Sequence, residues 1–286
     1  MPSLHDIDYP ASTALVTGGT SGNGRSIAFE LLSRGLARLV IVARSQESLS
    51  STVHDLQQKA PNTDIQSIRA DLSSHDGPNI VQQHINEWNM TIDILVNNAG
   101  FARKETFAKD ASTDTSLATV DLMIRAVVDL SLRFLPGMVE RRRGGILNIG
   151  STAGFQPVPF TATYAASKAF LLSFSQAIRE ENRETGVRIA CLVPGITDTN
   201  LDCQGHRERR GALDVVGIDK PEDVARAAVD ASEKNAAASI YGCNNQLLQA
   251  GLGLVPADVK AQLISKARGP PYGTIRHKTL CSTSLQ

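Results

Sequence analysis

The chain predicts an α/β protein: a doubly wound parallel sheet of about seven strands in a single domain. Three observations predict it. Short, unbroken apolar runs alternate with longer helical patterns, as expected for strands buried on both faces of a parallel sheet. The first run leads straight into a glycine-rich turn and then a helical pattern. Finally, 286 residues suffice for one large α/β domain, and no stretch is rich enough in Pro, Gly or Ser to divide two.

The strand-like runs are Thr13–Thr17, Leu39–Val42, Ile65–Ala70, Ile92–Val96, Ile146–Ile149, Val187–Val193 and Ser239–Tyr241. Between them fall helical patterns at Arg25–Ser33, Glu47–Gln58, Ile80–Trp88, Thr115–Glu140, Thr163–Arg183 and Glu222–Glu233. The repeated β–α–β order makes the fold Rossmann-like. Two further helices are expected at Gln246–Leu252 and Pro256–Ala267. The organisation reads as an N-terminal extension (1–10), a nucleotide-binding domain with C-terminal helices (11–268) and a loose tail (269–286).

Lys plus Arg equals Asp plus Glu at 29 each, so no net field favours nucleic acid or an anionic membrane. The four cysteines show neither metal-ligand spacing nor a disulfide framework, and the six histidines are scattered, so no metal site is expected. Met1 to Pro10 lacks the apolar core of a signal peptide, and no apolar run approaches the ~18 residues that span a bilayer. The expected compartment is the cytoplasm, with no membrane partner. Arg141-Arg142-Arg143 reads as the solvated, dipole-favoured end of a long helix.

Thr17-Gly18-Gly19-Thr20-Ser21-Gly22-Asn23-Gly24 follows the first strand. Glycines there allow a tight turn and close backbone approach, and the helix start offers free N–H groups to a pyrophosphate. A dinucleotide site also needs a ribose reader about 20 residues on, after the second strand. That place holds Ala43, Arg44 and Ser45. An acid would accept the 2′-hydroxyl of NAD, whereas arginine suits the 2′-phosphate of NADP, so NADP(H) is expected over NAD(H).

Tyr164 and Lys168 lie one helical turn apart, with Ser151 upstream. Moving a phenol from pKa ~10 toward ~7 takes about 4 kcal/mol. A cation about 4 Å away at an effective dielectric near 20 supplies that much. Ser151 adds a hydroxyl to hold a substrate oxygen. Tyr and Lys at this spacing also occur as plain packing; the glycine turn is what raises the trio to an acid/base site for a carbonyl or alcohol.

With both signals present, the chain resembles the short-chain dehydrogenases/reductases from about Ala11 to about Tyr241. The family's glycine turn matches Thr17 to Gly24, and its NNAG element matches Asn97-Asn98-Ala99-Gly100. Asp71-Leu72 matches the pair that meets adenine. Pro194-Gly195-Ile196-Thr197-Asp198-Thr199 matches the element whose backbone and last threonine hold the nicotinamide carboxamide. The resemblance implies that Ser151 polarises the carbonyl and Tyr164 donates the proton. It further implies that Lys168 lowers the tyrosine pKa and binds the nicotinamide ribose. The cofactor contacts it implies are Gly18, Thr20, Ser21, Gly22, Asn23, Gly24, Arg44, Ser45, Asp71, Leu72, Asn97, Ala99, Gly100, Tyr164, Lys168, Pro194, Gly195, Ile196, Thr197 and Thr199. It also implies a homodimer or homotetramer through the two long helices.

Two positions depart from the pattern. Where relatives carry an asparagine early in the long helix, the aligned residue is Asp121, which could pair with Lys168 and shift or slow turnover. Asn23 replaces an aliphatic residue. Phe155, Pro157, Val158 and Phe160 are expected to line an apolar pocket for a medium-sized ketone or secondary alcohol, perceived as specialised metabolism. The charged loop from Asp198 to Gly217 is expected to cover it. Two other functions stay open: an NAD-dependent alcohol dehydrogenase, and a catalytically weakened cofactor-binding sensor or scaffold.

Overall fold

Seven short strands stack into one all-parallel sheet in the order β3-β2-β1-β4-β5-β6-β7, in a computed structural model that describes residues 6–199 and 217–269. The strands are β1 (Thr13–Thr17), β2 (Arg38–Ala43), β3 (Asp64–Arg69), β4 (Ile94–Asn97), β5 (Gly145–Ile149), β6 (Arg188–Val193) and β7 (Ser239–Ile240). The helices are α1 (Gly22–Ser33), α2 (Gln46–Lys59), α3 (Gly77–Glu87), α4 (Thr113–Val120), α5 (Ala126–Glu140), α6 (Ala162–Glu181), α7 (Pro221–Glu233), α8 (Cys243–Gly253) and α9 (Ala257–Arg268). β1 pairs with β2 on one side and β4 on the other, so the strand order reverses there and opens a crevice at the carboxyl ends.

Successive side chains on a strand point to opposite faces, and the core divides accordingly. Ala14 and Val16 pack with Ile27, Leu31, Ile41 and Ala228 beneath α1 and α7. Leu15 packs with Val40, Leu95, Leu130 and Ile146 on the other face, beneath α3 and α5. Burying both faces is why these strands read as continuous apolar runs.

The expected single helix over Thr115–Glu140 is instead α4, a π turn at Asp121–Arg125, and α5. The apolar residues Met123, Ala126, Leu130 and Phe134 keep three- and four-residue spacing through the turn, so the sequence pattern does not register it. α1 and α3 start earlier than their apolar periodicity, because each opens on glycine; Gly77 packs directly on the Asp71 carbonyl. Tyr9, assigned to the N-terminal extension, is buried in the core and its hydroxyl donates to Glu233 at 2.8 Å. Ordered structure therefore begins before Ala11.

The triple arginine is exposed at the end of α5, as expected, and two of its members also act as clamps. Arg143 ion-pairs with the buried Asp93 at 3.3 Å and Arg141 donates to the Ile92 carbonyl at 3.2 Å. Asp93 in turn accepts from the Thr13 amide at 3.0 Å, which ties the end of α5 to the start of β1.

Candidate active site

The glycine turn leaves β1 and enters α1 in a conformation its residues require. Gly18 (φ 64°) and Gly22 (φ 49°) lie in the left-handed region that L side chains rarely adopt. A Cβ on Gly18 would stand 2.9 Å from the Ala99 Cα, and one on Gly22 would stand 2.9 Å from Thr199. Asn98 braces the turn by donating to the Thr17 and Gly18 carbonyls at 3.0 and 3.2 Å. Its carboxamide also leaves no room for a side chain on Gly24. Thr17 Oγ1 accepts from the Asn98 and Ala99 amides, which locks the ends of β1 and β4 together.

The first turn of α1 carries no side-chain cap from Ser21, which leaves its N–H groups without that partner. Beside them Asn23 Oδ1 is buried without a hydrogen-bond partner among the described residues. An uncapped helix start and an orphaned acceptor fit a bound pyrophosphate and an adjoining donor. Thr20 is half-buried and Ser21 exposed in the same turn. Arg44, exposed at the end of β2, makes no ion pair with a described residue. Ser45 caps α2, its Oγ accepting from the Ser48 amide at 3.2 Å.

The remaining expected contacts divide. Asp71 is exposed and its Oδ1 accepts from the Ser73 amide and hydroxyl, while Leu72 is buried beside it. Asn97 points into the sheet: its amide donates to Asn148 Oδ1 at 2.9 Å, and Asn148 donates to Ser175 at 2.8 Å. That buried chain links β4, β5 and α6. Gly100 lies against the Met123 side chain.

Ser151 ends the segment after β5 and caps a 3₁₀ turn at Thr152–Phe155, its Oγ accepting from the Ala153 amide at 3.2 Å. Gly154 in that turn packs on the Lys168 carbonyl, closing the turn onto α6. Lys168 is 6% exposed and its Nζ donates to the Ile149 carbonyl at 2.6 Å. Burial lowers its pKa from 10.5 to about 8. The ammonium stands 5.7 Å from the Tyr164 ring centroid, within cation–π range.

Asp121 does not reach the lysine. It lies on the π turn and ion-pairs with Arg125 at 2.8 Å, while Arg125 also donates to the Ser73 and Ser74 carbonyls. The side chain that the π turn buries is Met123, 2% exposed.

Pro194 to Thr199 follows β6. The Thr152 amide donates to the Pro194 carbonyl at 3.0 Å, so this segment and the serine segment are joined. Ile196 and Asp198 exchange backbone hydrogen bonds with Asp219, and Thr197 bridges it. Thr197 Oγ1 is buried without a partner among the described residues. The Asn245 carboxamide, buried at the start of α8, fills the space where a Gly195 side chain would project and donates to the Tyr241 carbonyl at 2.8 Å. Burial pushes the Asp219 carboxyl up, opposed by the Asn245 amide.

A cavity opens beside Tyr164, lined by Arg103, Glu105, Thr119, Phe160 and Thr163. It is more polar than expected. Of the four apolar residues proposed to line it, only Phe160 does so; Val158 packs with Ala165 and Ile264 of α9. Most of the covering loop, including Arg207, Glu208, Arg209 and Arg210, lies outside the described residues. Asn98, Asn245, Met123 and the Ile149 carbonyl were missed as site residues. Asn98 alone had a visible signal, its place in the NNAG element; the others depend on tertiary packing.

A family model described as short chain dehydrogenase matches residues 12–209. The chain is 34% identical over 191 residues to the very-long-chain 3-oxoacyl-CoA reductase of Mus musculus, covering 66% of this chain and 60% of that protein. A short-chain dehydrogenase from Sphingobium yanoikuyae, solved with NADPH, is 26% identical with a TM-score of 0.74, covering 89% of this chain and 95% of its own. L-sorbose reductase from Gluconobacter frateurii, solved with NADPH and L-sorbose, is 25% identical with a TM-score of 0.71, covering 82% and 97%. With the match running through most of the sheet and through the Ser151, Tyr164 and Lys168 segment, the chain belongs to the short-chain dehydrogenase/reductase family.

Proposed function

We propose that the protein is an NADP(H)-dependent oxidoreductase that reduces a ketone or aldehyde, or oxidises the matching secondary alcohol. The observation that carries the reading is the buried Lys168 ammonium held beside Tyr164 at the wall of an open cavity. Tyr164 donates the proton to the carbonyl oxygen, and Ser151 holds that oxygen by a hydrogen bond. Lys168 keeps positive charge beside the phenol as it ionises, in a low-dielectric setting where that charge counts most. Bound NADPH supplies the hydride.

The uncapped start of α1 and Asn23 would hold the pyrophosphate region, and the Pro194–Thr199 segment would hold the nicotinamide end. Arg44, free of ion pairs among the described residues, would take the 2′-phosphate. The two NADPH-bound neighbours support this preference. The Mus musculus relative, named as a reductase of 3-oxoacyl-CoA, supports a ketone as the reacting group. The buried thiol of Cys191 suits a reducing compartment such as the cytoplasm. Exposed Leu117 and Leu132 on α4 and α5 suit assembly through the long helices.

The test is a screen of ketones and aldehydes with NADPH and with NADH, followed by absorbance at the reduced nicotinamide band. Consumption with at least a tenfold preference for NADPH in kcat/KM is expected. No consumption with any carbonyl or alcohol would leave the sensor reading standing instead.

A further inference from the structure

The geometry points to a hydroxyl-recognition subsite at Glu105, which makes hydroxyketones, ketoses included, the favoured substrate class. The inference rests on the proposed carbonyl reduction at Tyr164, since the subsite lines the same cavity.

Glu105 is placed by backbone, not by chance side-chain fit. Its amide donates to the Phe160 carbonyl at 2.8 Å, joining the segment after Gly100 to the segment that leads into α6. Phe160 itself has φ 68°, a strained value for an aromatic residue and one found where the surrounding structure fixes a site. Glu105 and Tyr164 thus face one cavity from two tethered segments.

The carboxylate is 11% exposed, and its two oxygens differ. Oε1 accepts a long hydrogen bond of 3.3 Å from Ser116. Oε2 is buried and accepts no hydrogen bond among the described residues. Arg103 Nε lies 3.6 Å from Oε2, close enough to balance its charge but too far to hydrogen-bond it. A buried acceptor left without a donor is costly, so a ligand that brings a donor gains binding there.

The charge balance selects the donor. Arg103 already neutralises Glu105, so a cationic ammonium has little to gain over a neutral hydroxyl. An anionic group would meet the carboxylate. A purely apolar ketone would leave Oε2 unsatisfied. Exposed Phe107 at the rim and Phe160 in the wall accommodate the carbon skeleton.

The experiment compares 1-hydroxypropan-2-one with its isostere butan-2-one, and 4-hydroxybutan-2-one with pentan-2-one, in the full-length protein with NADPH. At least a tenfold higher kcat/KM is expected for the better hydroxyketone of the two pairs. Glu105→Gln should cut that ratio about tenfold, with folding checked by NADPH affinity and thermal melting. If Glu105→Gln fails to fold, Arg103→Gln serves: it leaves the carboxylate unbalanced and should move preference from 1-hydroxypropan-2-one toward 1-aminopropan-2-one. Equal turnover of hydroxyketones and isosteres, or a preference indifferent to both substitutions, overturns the subsite while leaving carbonyl reduction intact. Failure to reduce any carbonyl overturns the proposed function and the subsite with it.

Discussion

Lys168 Nζ donates a 2.6 Å hydrogen bond to the carbonyl of Ile149, two residues before Ser151. One bond thereby fixes the lysine of α6 to the end of the strand that delivers the serine. The same contact satisfies only one of three ammonium protons in a site that burial makes unfavourable for charge. Holding the lysine there therefore costs stability.

That cost is measurable. Lowering of the Lys168 pKa from 10.5 to about 8 corresponds to about 3 kcal/mol at neutral pH. Between those two values the unfolded chain binds the proton and the folded one does not, so this group's contribution to stability rises with pH across that window. Below about 8 the full penalty applies. Lys168→Met should raise apo-protein stability at pH 7 by about 1–3 kcal/mol, the lost bond to Ile149 offsetting part of the gain. It should also lower kcat/KM by about 10²-fold or more. Urea unfolding at pH 7 and pH 9.5 checks the first part: the variant should lose its advantage at the higher pH.

The reduction rate should follow the same proton. As pH rises through about 8 the ammonium loses its charge and with it the field beside Tyr164, so kcat/KM for reduction should fall. Asp121→Asn should leave that profile unmoved, because Asp121 pairs with Arg125 and not with Lys168. Its removal should cost no more than about 1 kcal/mol, as expected for a partly exposed pair. A displaced pH profile in Asp121→Asn would restore the pairing that the sequence suggested.

Asp121 shows where sequence reasoning stops. The sheet was legible because parallel strands buried on both faces leave unbroken apolar runs, and the glycine turn because its φ values demand glycine. The helix carrying Asp121 was read as one piece, since a π turn preserves apolar spacing while rotating every residue beyond it. Tyr164 and Lys168 lie one turn apart on α6, as their spacing predicts, and Ser151 follows the end of β5. Asn245 and Asp219 could not be found the same way: Asn245 packs on Gly195 from the start of α8, and Asp219 bridges Thr197 from the segment before α7.

That packing yields its own test. A methyl group on Gly195 would collide with the buried Asn245 carboxamide. Gly195→Ala should weaken NADPH binding at least tenfold and destabilise the protein by about 1–3 kcal/mol. Pairing it with Asn245→Ala, which empties the contested space, should recover part of the loss. Isothermal titration across the double-mutant cycle measures the coupling, and strictly additive effects would argue against the brace.

Arg44 governs cofactor choice if it takes the 2′-phosphate. Arg44→Ala should raise the KM for NADPH at least tenfold and leave that for NADH within about threefold, since one charge-assisted contact is worth about 1.5–3 kcal/mol. Steady-state kinetics with both cofactors gives the answer. Equal changes for the two would assign the arginine to general electrostatics.

The central claim is that Tyr164 transfers the proton, and single-turnover reduction by Tyr164→Phe tests it most directly. The variant, preloaded with NADPH and mixed with a ketone that the wild type reduces, should bind cofactor with unchanged affinity. Its hydride transfer should be at least 10²-fold slower. Transfer at the wild-type rate would contradict the account.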